Sequence, residues 1–225
     1  MARTASAGAI SGCKTTARFK RLRPALREWV SIIQEYVHQS GEPPYFWGSY
    51  ERVNCGLLAA ALWRARIPTL QEFESGRKGQ EELGRIDLSL QLGRVICNIE
   101  AKMVWPVLGP VADADYLVRR IEESLAEAER GARKYSPFRS EQRLALSFVV
   151  PAVQPETYAA ARRGTALRQF TSVVQDSALD ADIRAWCLPR GTARWEGCHG
   201  TRGGSYYYPA VAVLGRLVMK GKRRG

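Results

Sequence analysis

The sequence lacks the features that mark membrane-spanning, zinc-binding and disulfide-rich proteins. No stretch of about 18 apolar residues occurs, so no segment is expected to cross a bilayer, and we predict no membrane partner. The chain has only two histidines, and neither shows the spacing of a structural zinc site. Five cysteines leave at least one unpaired, and none forms a Cys-x-x-Cys pair. This pattern favours a reduced, cytoplasmic setting over a disulfide framework.

Acidic residues are absent from the first 27 positions, which contain only basic charges. The segment has no apolar core of the kind found in a secretory signal, and its beginning consists mostly of small residues. We therefore predict a flexible basic arm over residues 1–23, a single folded domain over residues 24–219 and a basic tail over residues 220–225. Organellar targeting by the arm stays open as an alternative. The basic residues of this acid-free stretch are Arg3, Lys14, Arg18, Lys20, Arg21, Arg23 and Arg27.

The overall charge favours a polyanionic partner. The chain of 225 residues carries 34 basic and 22 acidic residues, which gives a net charge of +12 and a pI near 9.8. Such a surface gains affinity for nucleic acid by releasing condensed counterions. A hydrophobic content of 45% is ordinary for one domain with a substantial core.

Two neighbouring strands are predicted in the middle of the chain. Residues 85–92 alternate between apolar and polar side chains, and this period places Asp87 on the polar face of a half-buried strand. Residues 94–103 follow a glycine turn and are rich in β-branched residues. Glu100 and Lys102 stand two residues apart and therefore share one face of this second strand. A hairpin would bring Asp87 near that face.

These residue types suit the hydrolysis of phosphodiester bonds. The carboxylates of Asp87 and Glu100 can hold a hard divalent cation, with the carbonyl oxygen of Ala101 as a further ligand. Lys102 beside the ion could orient or deprotonate the attacking water, or neutralise charge on the phosphorus. The expected cofactor is therefore Mg²⁺ or Mn²⁺.

This pattern resembles the PD-(D/E)XK nuclease superfamily, in which the aspartate lies on the second core strand and Glu-x-Lys on the third. The usual proline before the aspartate is replaced here by Ile86. The resemblance covers residues 49–150 and implies an α/β fold with a restriction-endonuclease-like core (α-β-β-β-α-β). It further implies a mixed central sheet flanked by helices, to which an N-terminal helix and C-terminal strands are added here.

A third acid is expected from the helix that precedes the strands. This helix is predicted to begin after Ser49 as N-cap and to end before Pro68, which places Glu51 in its first turn. By resemblance to the archaeal Holliday-junction resolvases and several restriction enzymes of the superfamily, Glu51 would complete the metal cluster. Alternatively, Glu51 only interacts with the helix dipole. Glu72 and Glu74, on the predicted first strand, are rival third acids.

The remaining segments fit an α/β arrangement. The sequence predicts a first helix, a crossover helix, a buried strand, a later helix and two late strands. Their ranges are, in the same order, 24–38, 113–135, 143–153, 156–174, 183–188 and 206–219.

One late loop combines arginine, tryptophan and glycine. Arg190, Arg194, Trp195 and Arg202 could hold phosphate and stack a base on a flexible backbone. The alternative is a long hairpin loop with a basic surface.

These expectations converge on a metal-dependent nuclease that hydrolyses phosphodiester bonds, with DNA favoured over RNA. The alternative is a catalytically silent nuclease-like module that binds DNA or a protein. A third class, a ribosomal or other RNA-associated protein, explains the charge but not the clustered acids. A homodimer or a larger defence or repair complex is the expected assembly, and the sequence leaves the biological role open.

Overall fold

The computed structural model describes residues 11–40, 46–76, 83–109, 113–134, 141–154, 156–157, 166–176, 178–189 and 206–219. The strands in these ranges are β1 (Gly12–Thr15), β2 (Thr69–Gly76), β3 (Leu83–Leu92), β4 (Val95–Val104), β5 (Val107–Leu108), β6 (Glu141–Val149), β7 (Ala152–Val153), β8 (Ile183–Cys187) and β9 (Val211–Leu217). The helices are α1 (Arg23–Ser40), α2 (Phe46–Ser49), α3 (Glu51–Arg64), α4 (Ala114–Ala132) and α5 (Ala166–Gln175). A 3₁₀ helix, Ala17–Leu22, precedes α1.

Seven strands form one mixed sheet in the order β1-β8-β9-β6-β4-β3-β2. Strands β2, β3 and β4 pair antiparallel in succession, and α4 then crosses over to β6, which is parallel to β4. Strands β9, β8 and β1 extend the sheet antiparallel beyond β6. The prediction of an α/β fold with a mixed sheet flanked by helices is confirmed.

Helices cover both faces of the sheet. Leu58 and Leu62 of α3 pack with Leu144 of β6 around a small apolar gap that side chains of α1 also line. On the opposite face, Ala128 of α4 packs with Ala145 of β6. Because successive residues of a strand point to opposite faces, α3 and α4 enclose the sheet from two sides.

The hairpin between β3 and β4 forms as the sequence predicts. Leu92 pairs with Val95, which leaves a turn of two residues, and Gly93 has a φ of 70°. A glycine adopts this left-handed conformation without steric cost at the first position of a hairpin turn. The turn fixes the register that aligns Asp87 with the Glu-x-Lys segment.

The crossover helix is also confirmed. Asp113 is the N-cap of α4, and its side chain accepts a hydrogen bond from the backbone N–H of Tyr116 at 3.1 Å. One face of α4 is fully buried against the sheet, as the helical spacing of its apolar residues predicts. The buried apolar residues are Leu117, Ile121, Leu125, Ala128 and Ala132.

The predicted flexible arm over residues 1–23 is wrong for residues 11–23. Strand β1 pairs with β8 at the sheet edge, and the 3₁₀ helix buries Phe19 and Leu22 in the core. Two apolar side chains three residues apart thus anchor a segment that is otherwise rich in basic residues. Residues 1–10 and the predicted tail at 220–225 lie outside the described residues.

Several element boundaries differ from the prediction, and the strand predicted over residues 206–219 is limited to β9 (Val211–Leu217). Ser49 is the last residue of α2, and Tyr50 is the N-cap of α3, without a side-chain capping bond. The strand predicted over residues 143–153 divides into β6 and β7 around Pro151, which has no N–H to donate to a ladder. Of the helix predicted over residues 156–174, the structure describes α5 and a short helical piece at 156–157.

No helix within the described ranges is long and apolar enough to cross a bilayer.

Phe19→Ala is expected to lower the free energy of unfolding by about 3–5 kcal/mol, because it empties a buried aromatic site. Urea denaturation followed by circular dichroism measures the change. Arg18→Ala, at the exposed neighbouring position, should stay within about 0.5 kcal/mol of the wild type. Equal stabilities for the two variants would contradict the docking of the N-terminal segment on the core.

Candidate active site

Asp87, Glu100 and Lys102 share one face of the sheet. Ser89 on β3 is paired with Asn98 on β4, and their side chains are joined by a buried hydrogen bond of 2.8 Å. Because strand side chains alternate, Asp87 lies on the face of Ser89, and Glu100 and Lys102 lie on the face of Asn98. The arrangement that the two sequence periods predict is therefore present.

The side chain of Asp87 joins the two strands beyond the last pair of the ladder. The outermost pair in the ladder of β3 and β4 is Leu88 opposite Ile99. One residue further out, the backbone N–H of Ala101 donates a 2.7 Å hydrogen bond to Asp87 Oδ2. A carboxylate oxygen thus takes the place of a backbone acceptor, which holds Asp87 against the Glu-x-Lys segment.

The ammonium of Lys102 contacts two of the oxygens that the sequence assigns to a metal. Lys102 Nζ lies 3.0 Å from Glu100 Oε1 and donates a 2.8 Å hydrogen bond to the carbonyl oxygen of Ala101. The side chains of Lys102 and Glu100 are only 27% and 14% exposed. Burial disfavours the charged ammonium, but the charges of Glu100, Glu51 and Asp87 outweigh it and raise the pKa of Lys102.

Glu51 belongs to the same electrostatic cluster. Burial raises the pKa of Glu51 to about 7, and the negative charges of Asp87 and Glu100 add to the rise while Lys102 opposes it. Burial likewise raises the pKa of Asp87, against the stabilising hydrogen bond from the Ala101 N–H. All four predicted catalytic side chains, from α3, β3 and β4, therefore influence one another. We call Glu51, Asp87, Glu100 and Lys102 the carboxylate cluster.

A set of hydrogen bonds fixes the start of α3, on which Glu51 stands. The buried side chain of Asn54 donates to the carbonyl oxygens of Trp47 at 2.9 Å and Tyr50 at 3.3 Å. Trp105, just after β4, donates from Nε1 to the carbonyl oxygen of Gly48 at 2.8 Å. The junction of α2 and α3 is thereby tied to the end of the strand that carries Glu100 and Lys102.

The rival third acids have different surroundings. Glu72 forms ion pairs with Arg52 at 2.6 Å and Arg85 at 3.2 Å, so both of its carboxylate oxygens contact guanidinium groups. Glu74 lies opposite Arg85 in the ladder of β2 and β3, but its side chain lies outside the described part of the structure. The ion pairs of Glu72 favour Glu51 as the third acid.

Sequence reasoning missed two contributors to the cluster. Glu127 on α4 adds a negative charge that raises the pKa of Glu51. Gly131, also on α4, leaves room for Glu100, since a Cβ at this glycine would lie 2.5 Å from Glu100 Oε1. A glycine inside an otherwise strong helix pattern was the available signal, because it often marks a close approach of another group.

The donor atoms fit a hard divalent cation. Carboxylates and a backbone carbonyl are the oxygen ligands that Mg²⁺ and Mn²⁺ prefer, and the Ala101 and Glu100 oxygens already converge on one positive charge, the Lys102 ammonium. Within the described ranges, however, no group of three or more His, Cys, Asp or Glu residues is preassembled to hold a metal. Because Lys102 Nζ contacts the Glu100 and Ala101 oxygens, an ion could bind to them only after the side chain of Lys102 has moved away.

The four residues predicted to bind nucleic acid, Arg190, Arg194, Trp195 and Arg202, lie outside the described residues. The chain that follows them is described and returns next to α2. Trp47 donates from Nε1 to the carbonyl oxygen of Tyr208 at 2.9 Å. Tyr208 therefore lies beside the junction of α2 and α3 that positions Glu51.

Comparisons of the chain with protein-family models, with curated proteins and with solved structures found no match.

Gly131→Ala is expected to impair the function of the cluster without lowering the free energy of unfolding. Alanine favours the helix by up to about 1 kcal/mol over glycine, but its methyl group must displace the side chain of Glu100. Manganese titration calorimetry should show weaker binding, and thermal denaturation an unchanged or higher midpoint. Ala126→Gly, on the same helix, is the control with the opposite effect on helix propensity. Wild-type manganese affinity in Gly131→Ala would contradict the contact.

Glu51→Gln is expected to change how stability depends on pH. Because the folded-state pKa of Glu51 is raised from 4.5 to about 7, its contribution is fully present below pH 4.5 and is lost as the pH rises through 7. The variant should lack this loss and exceed the wild type at pH 8 by on the order of 1 kcal/mol, since partial exposure reduces the effect. Urea denaturation at pH 5 and pH 8, without divalent ions, measures it.

Glu35→Gln is the control for this comparison. Hydrogen bonds from Arg64 and Ser31 lower the pKa of Glu35, so its removal should not change the slope between pH 5 and pH 8. A Glu51→Gln variant with the pH dependence of the wild type would show that Glu51 is not buried as described.

Proposed function

We propose that this protein is a metal-dependent nuclease of the PD-(D/E)XK type. One observation carries the proposal: Asp87 on β3 and the Glu100-x-Lys102 pair on β4 lie on one face, joined by the bond from Ala101 N–H to Asp87. The order α3, β2, β3, β4, α4, β6 supports it, because this is the order of helices and strands in the superfamily core.

The proposed cation would be held by Asp87, Glu100 and the carbonyl of Ala101, with Glu51 as the third acid. When bound, Mg²⁺ or Mn²⁺ would supply an activated water and stabilise negative charge on the phosphate. Asp87 is oriented for this role by the N–H of Ala101. Without a cation, burial raises the pKa of Glu51 to about 7, and a bound divalent ion would favour the ionised carboxylate that serves as a ligand.

The surroundings of Lys102 bear on the three roles predicted for it. Without a bound cation, the neighbouring carboxylates raise the pKa of Lys102, which favours the protonated ammonium over the free amine that a base requires. A protonated ammonium can instead neutralise charge that develops on the phosphate oxygens. We therefore propose that Lys102 stabilises the transition state and orients the water.

The proposed substrate is DNA, through the net charge of +12 and the resemblance to nucleases that cut DNA. RNA is the competing substrate, and the assembly, a homodimer or a larger defence or repair complex, stays a prediction. A cleavage assay with branched, double-stranded and single-stranded DNA and with RNA tests the proposal. We expect cleavage with Mg²⁺ or Mn²⁺ and none with excess EDTA.

The second candidate function is a nuclease-like module that binds DNA or a protein without cutting. It is favoured by the position of Lys102, whose ammonium contacts Glu100 and the Ala101 carbonyl, as a cation would. A folded protein that binds DNA tightly but cuts neither DNA nor RNA with either ion would establish this candidate and overturn the nuclease.

A further inference from the structure

Two exposed arginines are joined by one glutamate beside the carboxylate cluster. Glu72 Oε1 lies 2.6 Å from Arg52 Nε, and Glu72 Oε2 lies 3.2 Å from Arg85 Nη1. The glutamate side chain is only 22% exposed, whereas those of Arg52 and Arg85 are 75% and 64% exposed. The glutamate thus forms the inner part of this group, and the two guanidinium groups face the solvent. We call Arg52, Glu72 and Arg85 the arginine pair and its bridge.

The group lies directly beside the proposed reaction centre. Arg52 follows Glu51 on α3, and Arg85 stands two residues before Asp87 on β3, hence on the same strand face. In the ladder of β2 and β3, Gln71 pairs with Leu88 and Phe73 with Ile86, so Glu72 lies at the level of Asp87. The group therefore consists of residues from α3, β2 and β3, and it lies beside Glu51 and Asp87.

The backbone of Glu72 is unusual for a strand residue. Its φ is 50°, in the left-handed region that residues with a side chain rarely adopt. Such a conformation persists only where surrounding contacts hold it, and here both carboxylate oxygens contact a guanidinium group. The ion pairs and the strained backbone are separate observations that point to a fixed position for this carboxylate.

We propose that Arg52 and Arg85 bind phosphates of a DNA backbone, and that Glu72 is the positioning residue that holds them beside the carboxylate cluster. The inference rests on the proposed function and names the contacts that bring the substrate to that site. Three acids repel a phosphate, and the single ammonium of Lys102 offsets only part of their charge, so further cationic groups beside them favour the binding of DNA. An arginine has five N–H donors in a planar fork that suits phosphate oxygens, and the side chains of Arg52 and Arg85 are 75% and 64% exposed beside the acids.

The test measures DNA affinity without catalysis. Wild type, Arg52→Ala and Arg85→Ala are titrated against a fluorescent DNA duplex in EDTA at several salt concentrations. Each substitution should weaken binding about three- to tenfold and reduce the slope of log affinity against log salt by about one, because one phosphate contact is lost. An unchanged slope in both variants would overturn the proposal.

Arg64→Ala is the matched control. Arg64 stands on the same helix, is half-exposed and pairs with Glu35 at 3.1 Å, but it lies about 18 Å from Arg52 along the helix axis. It should bind DNA with the wild-type slope. An equal loss in Arg64→Ala would show that only net charge matters and would overturn the assignment to this pair.

Three further variants separate positioning from charge and from folding. Arg52→Lys and Arg85→Lys keep the positive charge and should retain the salt slope, which checks the alanine variants if those fold poorly. Glu72→Gln should weaken binding at least twofold although it removes a negative charge. Equal or tighter binding by Glu72→Gln would refute the positioning role, because a pure charge effect predicts that outcome.

This experiment can fail independently of the nuclease proposal. If the wild type cuts DNA and both alanine variants bind like the wild type, the arginine pair is refuted and the nuclease stands. If the wild type cuts nothing and both variants lose affinity, the DNA surface stands and the nuclease is refuted. If Arg52→Ala and Arg85→Ala lose affinity for an RNA duplex but not for a DNA duplex, the proposed DNA partner is overturned.

Discussion

Asp87→Asn is expected to lower the rate of metal-dependent DNA cleavage by at least about 10³-fold, which corresponds to about 4 kcal/mol of transition-state stabilisation. Asparagine has almost the same shape, and its oxygen can still accept the hydrogen bond from the Ala101 N–H. The substitution therefore removes the charge that holds the cation while the contact between the strands remains. Initial cleavage rates at saturating Mg²⁺ measure the effect.

The affinity of Asp87→Asn for DNA should be equal to that of the wild type or higher, because a negative charge near the phosphates is lost. Ser89→Ala is the matched control, since it removes a buried 2.8 Å hydrogen bond to Asn98 from the same strand and face but no charge. It should be less stable and should still cleave. An Asp87→Asn variant with more than a tenth of wild-type activity would contradict the assignment of Asp87.

Lys102→Met is expected to abolish cleavage and, at the same time, to bind Mn²⁺ at least about tenfold more tightly. The ammonium contacts Glu100 Oε1 and the Ala101 carbonyl, so a cation must displace it from these oxygens. Removing a positive charge from this half-buried position favours a divalent ion by more than about 1.4 kcal/mol. Titration calorimetry measures the affinity, and the cleavage assay measures the activity.

Lys102→Arg keeps the charge and serves as the control for the manganese affinity. It should not gain affinity, and its rate shows whether a guanidinium can take the catalytic role of the ammonium. Two results would count against the proposed role of Lys102: weaker manganese binding by Lys102→Met, or cleavage by this variant at the wild-type rate.

The hairpin of the candidate site could be predicted because its information is local. Alternation in β3, a glycine at the turn and the two-residue spacing of Glu100 and Lys102 determine which side chains share a face. The crossover helix was equally clear, because its apolar stripe and its N-cap Asp113 agree. For these elements, the local pattern and the tertiary packing favour the same structure.

The ordered N-terminal segment could not be predicted because its partner is distant in sequence. Strand β1 pairs with β8, so Cys13 stands opposite Ala185, and no local pattern encodes such a contact. The burial of Phe19 depends on a core built by the rest of the chain. Density of basic charge alone is therefore a poor guide to flexibility in this protein.

Side-chain details of the site were also beyond the sequence. The sequence allowed Glu51, Glu72 or Glu74 as the third acid, since all three lie near the motif. Only the three-dimensional structure distinguishes Glu72, which is paired with Arg52 and Arg85, from Glu51. Burial raises the pKa of Glu51 to about 7. Such distinctions depend on distances of a few ångströms between segments that are far apart in sequence.

The most direct test of the metal site is anomalous diffraction from crystals equilibrated with Mn²⁺. The account predicts an anomalous peak at roughly 2.0–2.6 Å from carboxylate oxygens of Asp87 and Glu100 and from the carbonyl oxygen of Ala101, with Lys102 Nζ moved away from that carbonyl. A peak only elsewhere on the protein would contradict the account. So would crystals at saturating Mn²⁺ in which Lys102 still contacts both Glu100 and the Ala101 carbonyl.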